Sequence, residues 1–169
     1  MMALLIAAAL SSGAAAPSPR ALALGREIAV AGSGQKTLQG MVGALEQVVT
    51  TREIMRLPVE RRAAPETRKA MKAAVTAEVP GFVGKVVDQA AGIYASEFTE
   101  AQLAEAARSR ESPGGMAITS RRDELSKAMA AYAATHLPLL VAAIADRYCA
   151  QAGCTPEIRA KLLLTPRGR

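Results

Sequence analysis

The chain contains a single histidine, His136, and histidine is the side chain best suited to exchange a proton near neutral pH. It lies two residues before Pro138, which we expect to kink a helix and leave a carbonyl without its donor. A carboxylate within hydrogen-bonding reach, such as Glu97 or Glu105, would make His136 a general base in a small hydrolase. The simpler interpretation is a half-buried histidine that hydrogen-bonds the broken turn.

Carboxylates form the second group with chemical potential: Glu97, Glu100 and Glu105 surround a predicted corner of the chain. Paired carboxylates do acid–base work when their environments push their pKa values apart. These three fall at helix ends or on a polar face, and Glu100 suits the positive N-terminal end of its helix. No Gly-x-Ser-x-Gly or His-Glu-x-x-His motif occurs, and one histidine cannot build a zinc site once the cysteines are paired. The sequence therefore predicts no catalytic constellation, metal or cofactor.

Four arginines surround the same corner, where the chain reads Ser-Pro-Gly-Gly at residues 112–115. An exposed helix N-terminus next to guanidinium groups can receive an anionic group. The alternative is an ordinary solvated charged surface. The candidate residues for an anion or partner contact are Arg108, Arg110, Arg121 and Arg122.

The two cysteines, Cys149 and Cys154, stand at the end of the longest predicted helix. Unbroken helix would hold them too far apart for a bridge. If Gly153 ends the helix in a left-handed conformation, they fall at the two positions that touch in a Schellman ending. We predict a Cys149–Cys154 disulfide worth about 2 kcal/mol by the chain-entropy relation, because the closed loop is short.

The N-terminus reads as a secretory signal. Residues 3–10 are an apolar run too short to span a bilayer, and small residues follow. Pro17 disfavours cleavage directly after Ala16, so we predict a cut between Ala14 and Ala15 or between Ala15 and Ala16. Residues 1–15 are then the signal peptide and 16–169 the mature domain. Export agrees with the disulfide, since oxidation is permitted outside the cytosol, and places the protein in the periplasm or outside the cell.

A net charge of +6 survives this cleavage, because the signal holds no ionisable side chain. A basic protein is attracted to anionic partners. The alternative interpretation is that the charge only keeps the protein soluble. Outside the cytosol such partners are lipid headgroups, wall polymers or acidic proteins rather than nucleic acid. No later segment reaches ~20 apolar residues, so we expect no transmembrane segment in the mature chain.

Periodicity and composition predict an all-α fold. Aromatic residues make up only 3% of the chain, whereas strands favour aromatic and β-branched residues. Proline and glycine positions divide the chain into a single compact array of about six or seven helices. We expect Pro80 to separate two helices, and Gly84 and Gly92 to allow close packing. The predicted helices are 19–31, 35–57, 65–79, 81–98, 100–110, 113–151 (unbroken, or with a break near residues 118–120) and a short one from Thr155 to about 164, with 59–64 a basic connector. Their core sides include Leu38, Met41, Val42, Leu45, Val48, Val49, Met55, Met71, Val75, Val79, Leu125, Leu139, Leu140, Ile144 and Tyr148.

The corner between residues 94 and 115 carries the clearest local signals. Thr99 and Gln102 fit a capping box, and Phe98 and Leu103 flank it as a hydrophobic staple. Ser112 then places a capping hydroxyl before a proline at the first helical position.

This corner resembles the bacterial domain-of-unknown-function family 2059, whose members are exported helical proteins. The shared elements are the sequence Phe-Thr-Glu at residues 98–100, then Leu103, Ser-Pro at 112–113, and Gly115. The chain has Ser-Arg at 109–110 where the family has an aromatic pair. The resemblance implies an all-helical exported domain with a core at about 80–150, and it implies no activity.

From these patterns we expect an exported, non-enzymatic helical protein that binds a partner protein or an envelope component. The alternatives are a small hydrolase using His136 with a carboxylate, and a carrier that holds an apolar ligand between helices. The sequence names neither the partner nor the oligomeric state.

Overall fold

The computed structural model describes residues 16–33 and 35–163, except for the side chains of residues 32–38 and Met41, and these two ranges form eight helices without a strand. The all-α prediction is confirmed. The signal peptide, with Ala14 and Ala15, lies outside the described residues, and Ala16 precedes the first helix. The helices are α1 (Pro19–Ser33), α2 (Gln35–Arg56), α3 (Val59–Ala63), α4 (Pro65–Glu97), α5 (Glu100–Arg108), α6 (Pro113–Ser120), α7 (Arg122–Ala152) and α8 (Pro156–Leu163).

Helix α4 runs without a break through Pro80, so the prediction of two separate helices was wrong. A proline inside a helix removes one backbone hydrogen bond and crowds the preceding turn. Here Pro80 itself is exposed, while Val75 and Val79 are fully buried just before it. Burial of that face holds the helix together across the defect, since tertiary packing routinely overrides local propensity.

Two other boundaries differ from the sequence prediction. The basic connector forms the short helix α3. Residues 113–151 form two helices, and the break that the sequence allowed near residues 118–120 lies at Arg121, which leaves the helical region with φ −105° and ψ 13°. Helix α7 then continues through Pro138 to Ala152.

Two hydrophobic clusters hold the helices together, and α4 contributes to both. The larger cluster joins α2, the first half of α4, the second half of α7, and α8. The smaller joins α1 to the end of α4, to α5 and to the start of α7. The buried members of the larger cluster are Val49, Leu57, Met71, Ala74, Val75, Val79, Leu140, Ile144, Ala145, Tyr148, Ile158 and Leu162, and those of the smaller are Ala21, Phe98, Leu103 and Leu125.

The corner after α4 has the predicted local structure. The Gln102 N–H donates to the Thr99 hydroxyl at 3.3 Å, and the Thr99 N–H donates to the Gln102 side chain at 2.9 Å, which completes the capping box. The Ser112 hydroxyl accepts from the Gly115 N–H at 3.1 Å. A Cβ on Gly115 would lie 2.4 Å from the Arg110 carbonyl oxygen, so the turn needs glycine there.

Three residues predicted to be in the core are exposed: Val48 by 63%, Met55 by 59% and Leu139 by 66%. The predicted apolar stripe of α2 was too wide, because the buried side follows a strict four-residue spacing through Val49 and Glu53 to Leu57. The side chains of Leu38 and Met41 lie outside the description.

Close helix packing occurs at a different glycine from those predicted. A Cβ added to Gly84 or Gly92 would meet nothing within 4 Å. A Cβ added to Gly25 of α1 would lie 2.6 Å from the Ala91 carbonyl oxygen of α4. The absence of a side chain at Gly25 therefore sets how closely α1 approaches α4.

We expect the substitution Gly25→Ala to lower the free energy of unfolding by roughly 1–3 kcal/mol, the usual cost of overpacking. Gly92→Ala is the matched control: it should leave stability unchanged or raise it by up to about 1 kcal/mol through helix propensity. Urea denaturation followed by circular dichroism measures both. Equal stability of the two variants would show that α1 does not pack on α4 at this glycine.

Candidate functional site

The disulfide predicted from the sequence is present. Cys149 and Cys154 are joined with their Cα atoms 4.9 Å apart. Gly153 has the predicted positive φ of 64°, and its N–H donates to the Cys149 carbonyl at 3.1 Å. The helix end is therefore closed by one backbone hydrogen bond at Gly153, rather than by the two bonds of the predicted Schellman motif. The bridge fixes the turn from which α8 begins, where Thr155 caps the new helix through the Ile158 N–H at 3.4 Å.

His136 is engaged by its own helix. Its Nδ1 lies 2.9 Å from the Tyr132 carbonyl oxygen, and its ring stacks on the Tyr132 ring with 3.9 Å between centroids. The two carboxylates expected to assist it are bound elsewhere: Glu97 pairs with Arg121 at 2.7 Å, and Glu105 accepts from the Gly114 N–H at 3.0 Å. The contacts of the described residues therefore join His136 to no carboxylate. The same part of the chain holds no group of three or more potential metal ligands.

The four corner arginines are dispersed among different contacts. Arg108 donates to the Ala104 carbonyl of its own helix at 3.0 Å, and Arg110 donates to the Ala31 carbonyl at 3.2 Å. Arg122 is exposed. The structure thus spreads these side chains over several surfaces instead of converging them on one point.

Arg121 is the most constrained of the four. It binds Glu97 at 2.7 Å and Glu124 at 2.9 Å, and its guanidinium lies 5.7 Å from the centre of the Phe98 ring. Hydrogen bonding to Glu97, and then to Glu124, raises the pKa of Arg121. The corresponding N-terminus of α6 is occupied as well, because Glu105 and Ser112 accept from its first N–H groups. Arg121 and the N-terminus of α6 are therefore satisfied by groups of the protein itself.

A buried carboxylate that sequence analysis missed lies on α2. Glu53 is only 1% exposed, and its Oε2 accepts from Arg56 at 3.1 Å, while Arg52 lies 3.9 Å from its Oε1. Burial raises the pKa of Glu53 against the lowering effect of Arg56. The sequence does contain a signal for this burial. Glu53 lies four residues from both Val49 and Leu57, so it falls on the same helical side as two apolar residues.

Positive charge concentrates at one end of the molecule. We define the basic end as residues 52–72 together with α8. It carries nine Lys and Arg against four Asp and Glu, which gives five of the chain's six net positive charges; the remaining twelve basic and eleven acidic residues nearly balance. The basic residues are Arg52, Arg56, Arg61, Arg62, Arg68, Lys69, Lys72, Arg159 and Lys161.

Backbone carbonyls hold this end together. Arg56 donates to the Leu162 carbonyl at 2.8 Å, which ties α2 to α8. Arg61 donates to the Gly153 carbonyl at 2.8 Å, which ties α3 to the end of α7. Arg56 is also paired with Glu53, whereas the bond of Arg61 leaves guanidinium N–H groups for another acceptor, because that side chain has five donors. Lys69 and Lys72 are exposed, and no ion pair to either lysine occurs within the described residues.

A depression of about 600 Å³ lies beside the basic end. It is lined by the disulfide, by Pro156 and Leu163, and by the Asp146–Arg159 ion pair, whose atoms are 2.7 Å apart. The lining mixes apolar and charged groups on the outer side of α7 and α8. It differs from the apolar space between helices expected for a carrier.

Helix α7 is more apolar than the sequence analysis anticipated. By length and composition, it is the one helix in the described ranges that could cross a membrane, with a mean hydropathy of 1.6 and 22% of its most apolar window buried. A core helix of a soluble protein passes the same test, and Leu140, Ile144 and Tyr148 of α7 are core residues. The expectation of a mature chain without a membrane span stays a prediction.

Comparison with known proteins adds no relative: no family model, curated protein or solved structure matches this chain. The resemblance in the corner at residues 98–115 therefore stays a prediction.

Replacing both cysteines, as Cys149→Ser with Cys154→Ser, should lower the free energy of unfolding by about 2 kcal/mol, because the unfolded chain loses a constraint. Urea denaturation of the oxidised protein and the double variant gives the difference. Reduced wild-type protein is the control and should match the variant. If oxidised and reduced wild-type proteins unfold at the same urea concentration, the bridge does not stabilise the fold.

The buried carboxylate predicts a specific dependence on pH. Because the pKa of Glu53 is raised in the folded state, the folded protein holds its proton more tightly than the unfolded chain. The stabilisation from protonated Glu53 is complete at pH values below its pKa in the unfolded chain, about 4.3. It is lost as pH rises through its pKa in the folded protein. Glu53→Gln cannot ionise, so the stability of wild type relative to this variant should fall as pH rises above about 4.3. A constant or rising difference in chemical denaturation would contradict a raised pKa.

Proposed function

We propose that this protein is an exported, non-enzymatic binding protein whose basic end recognises an anionic component of the cell envelope. The observation that carries the proposal is the segregation of charge: five of six net positive charges belong to residues 52–72 and α8, while the rest of the chain is nearly neutral. A surface with an excess of one sign of charge attracts an oppositely charged partner to that side of the molecule and orients it.

The contacts of the basic end favour binding over plain solubility. Solubility is served by a mixture of both signs, whereas this end carries nine basic residues against four acidic ones. Here Arg61 is held in place by the Gly153 carbonyl at 2.8 Å, and Lys69 and Lys72 of the same end are exposed. Positioned cations bind an anion with less loss of side-chain entropy than free ones.

Export is supported by the disulfide and by the apolar N-terminal run read from the sequence. The hydrolase alternative lacks a supporting contact, since the Nδ1 of His136 lies at the Tyr132 carbonyl. The resemblance to exported helical proteins of family 2059 agrees with this proposal and remains part of it.

The test compares two double charge reversals with the same net charge. Lys69→Glu with Lys72→Glu alters the basic end, and Lys85→Glu with Lys127→Glu alters exposed lysines elsewhere. Sedimentation with isolated bacterial envelopes at low salt should show about a tenfold or greater loss of affinity for the first variant, from about 1 kcal/mol per cation at an anionic surface. The second variant should retain most of the affinity.

Equal losses for the two variants would mean that only the net charge matters, and unchanged binding of both would remove the proposed function. Circular dichroism of each variant checks that the fold is retained. Binding by the wild type should also weaken steeply with added salt, because the contacts are exposed.

A further inference from the structure

Exposed apolar side chains lie beside the basic end. Of the large hydrophobic residues exposed in the described part of the chain, three fall within a short stretch of α2 and α3: Val48, Met55 and Val59, exposed by 63%, 59% and 68%. Val48 and Met55 flank Arg52 on one helical face, since their positions are four and three residues apart. This face places hydrocarbon on both sides of a cation.

The rest of α2 explains why the described residues do not cover this face. Val49 and Glu53 are buried on the adjacent side, where α2 packs on α4. Val59 opens α3 directly after Pro58, and the nearby Arg62 donates to the Leu57 carbonyl at 2.6 Å. We call this region, with Val48, Met55 and Val59, the α2–α3 edge; Arg52 and Arg62 belong to the same segment.

This arrangement selects one kind of anionic partner. A soluble polyanion or a wall polymer requires only positive charge, and exposed Val and Met side chains add nothing to such a contact. A bilayer surface rich in anionic lipid offers phosphate groups to the cations and, just beneath them, hydrocarbon to the apolar side chains. Helices that lie in a membrane interface combine these two features.

We propose that the α2–α3 edge binds an anionic lipid bilayer, with Val48, Met55 and Val59 entering the headgroup region and the basic end meeting the phosphates. This inference rests on the proposed function and names the lipid surface as the anionic component. Arg52 lies between Val48 and Met55 on the same face of α2, and its side chain is 38% exposed.

The test uses vesicles of equal parts phosphatidylglycerol and phosphatidylcholine, with pure phosphatidylcholine vesicles as the neutral reference. Met55→Ser with Val59→Ser should reduce binding to the anionic vesicles by about tenfold or more, because burial of these side chains is lost. Met116→Ser is the matched control, since Met116 is 57% exposed and lies on α6, outside the basic end. The Met116→Ser variant should bind the anionic vesicles as the wild type does. Neither the wild type nor this variant should bind the neutral vesicles appreciably.

The failures of the two proposals are distinguishable. If Met55→Ser with Val59→Ser binds like the wild type while the Lys69→Glu and Lys72→Glu variant does not, anion binding stands and lipid insertion is overturned. If both variants bind like the wild type, both proposals fall. A loss produced instead by Leu139→Ser would place the lipid contact on α7, where Leu139 is 66% exposed, and would overturn the inference.

Discussion

The continuity of α4 through Pro80 is the constraint on which the other features depend. This 33-residue helix buries its first half in the larger cluster and its end in the smaller one. Helices α1, α2 and α7 all pack on α4, so one continuous helix positions the three of them. Two separate helices at Pro80 would remove one of the two helices that connect the clusters and leave only α7. One continuous helix instead fixes the start of α4, which belongs to the basic end, relative to the corner at the other end.

Local signals were predictable from sequence where a few neighbouring residues decide the outcome. The capping box at Thr99, the Ser112 cap and the glycine turn between the cysteines all depend on contacts within six residues. The helix across Pro80 was not predictable in this way, because distant side chains bury its face. For the same reason, the apolar pattern of α2 placed Val48 and Met55 in the core, although α4 covers a narrower side.

The basic end also depends on tertiary structure. Residues 52–72 and α8 are more than eighty positions apart in sequence, and the disulfide-stabilised turn after α7 brings them together. Arg56 then joins α2 to α8 through the Leu162 carbonyl. Composition alone indicated a basic protein, whereas the fold brings basic residues from distant parts of the sequence together. The candidate corner shows the reverse: its arginines are neighbours in sequence, but Arg121 is occupied by Glu97 and Glu124.

Tryptophan fluorescence tests the central claim most directly, because the natural chain has no tryptophan. Single substitutions Met55→Trp and Met116→Trp place one probe at the α2–α3 edge and one on an equally exposed site of α6. On addition of anionic vesicles, the emission of the Met55→Trp protein should shift to shorter wavelength and be quenched by brominated lipid, while that of Met116→Trp should not change. A shift at Met116→Trp alone, or at neither site, would contradict the assignment of this edge as the lipid-binding surface.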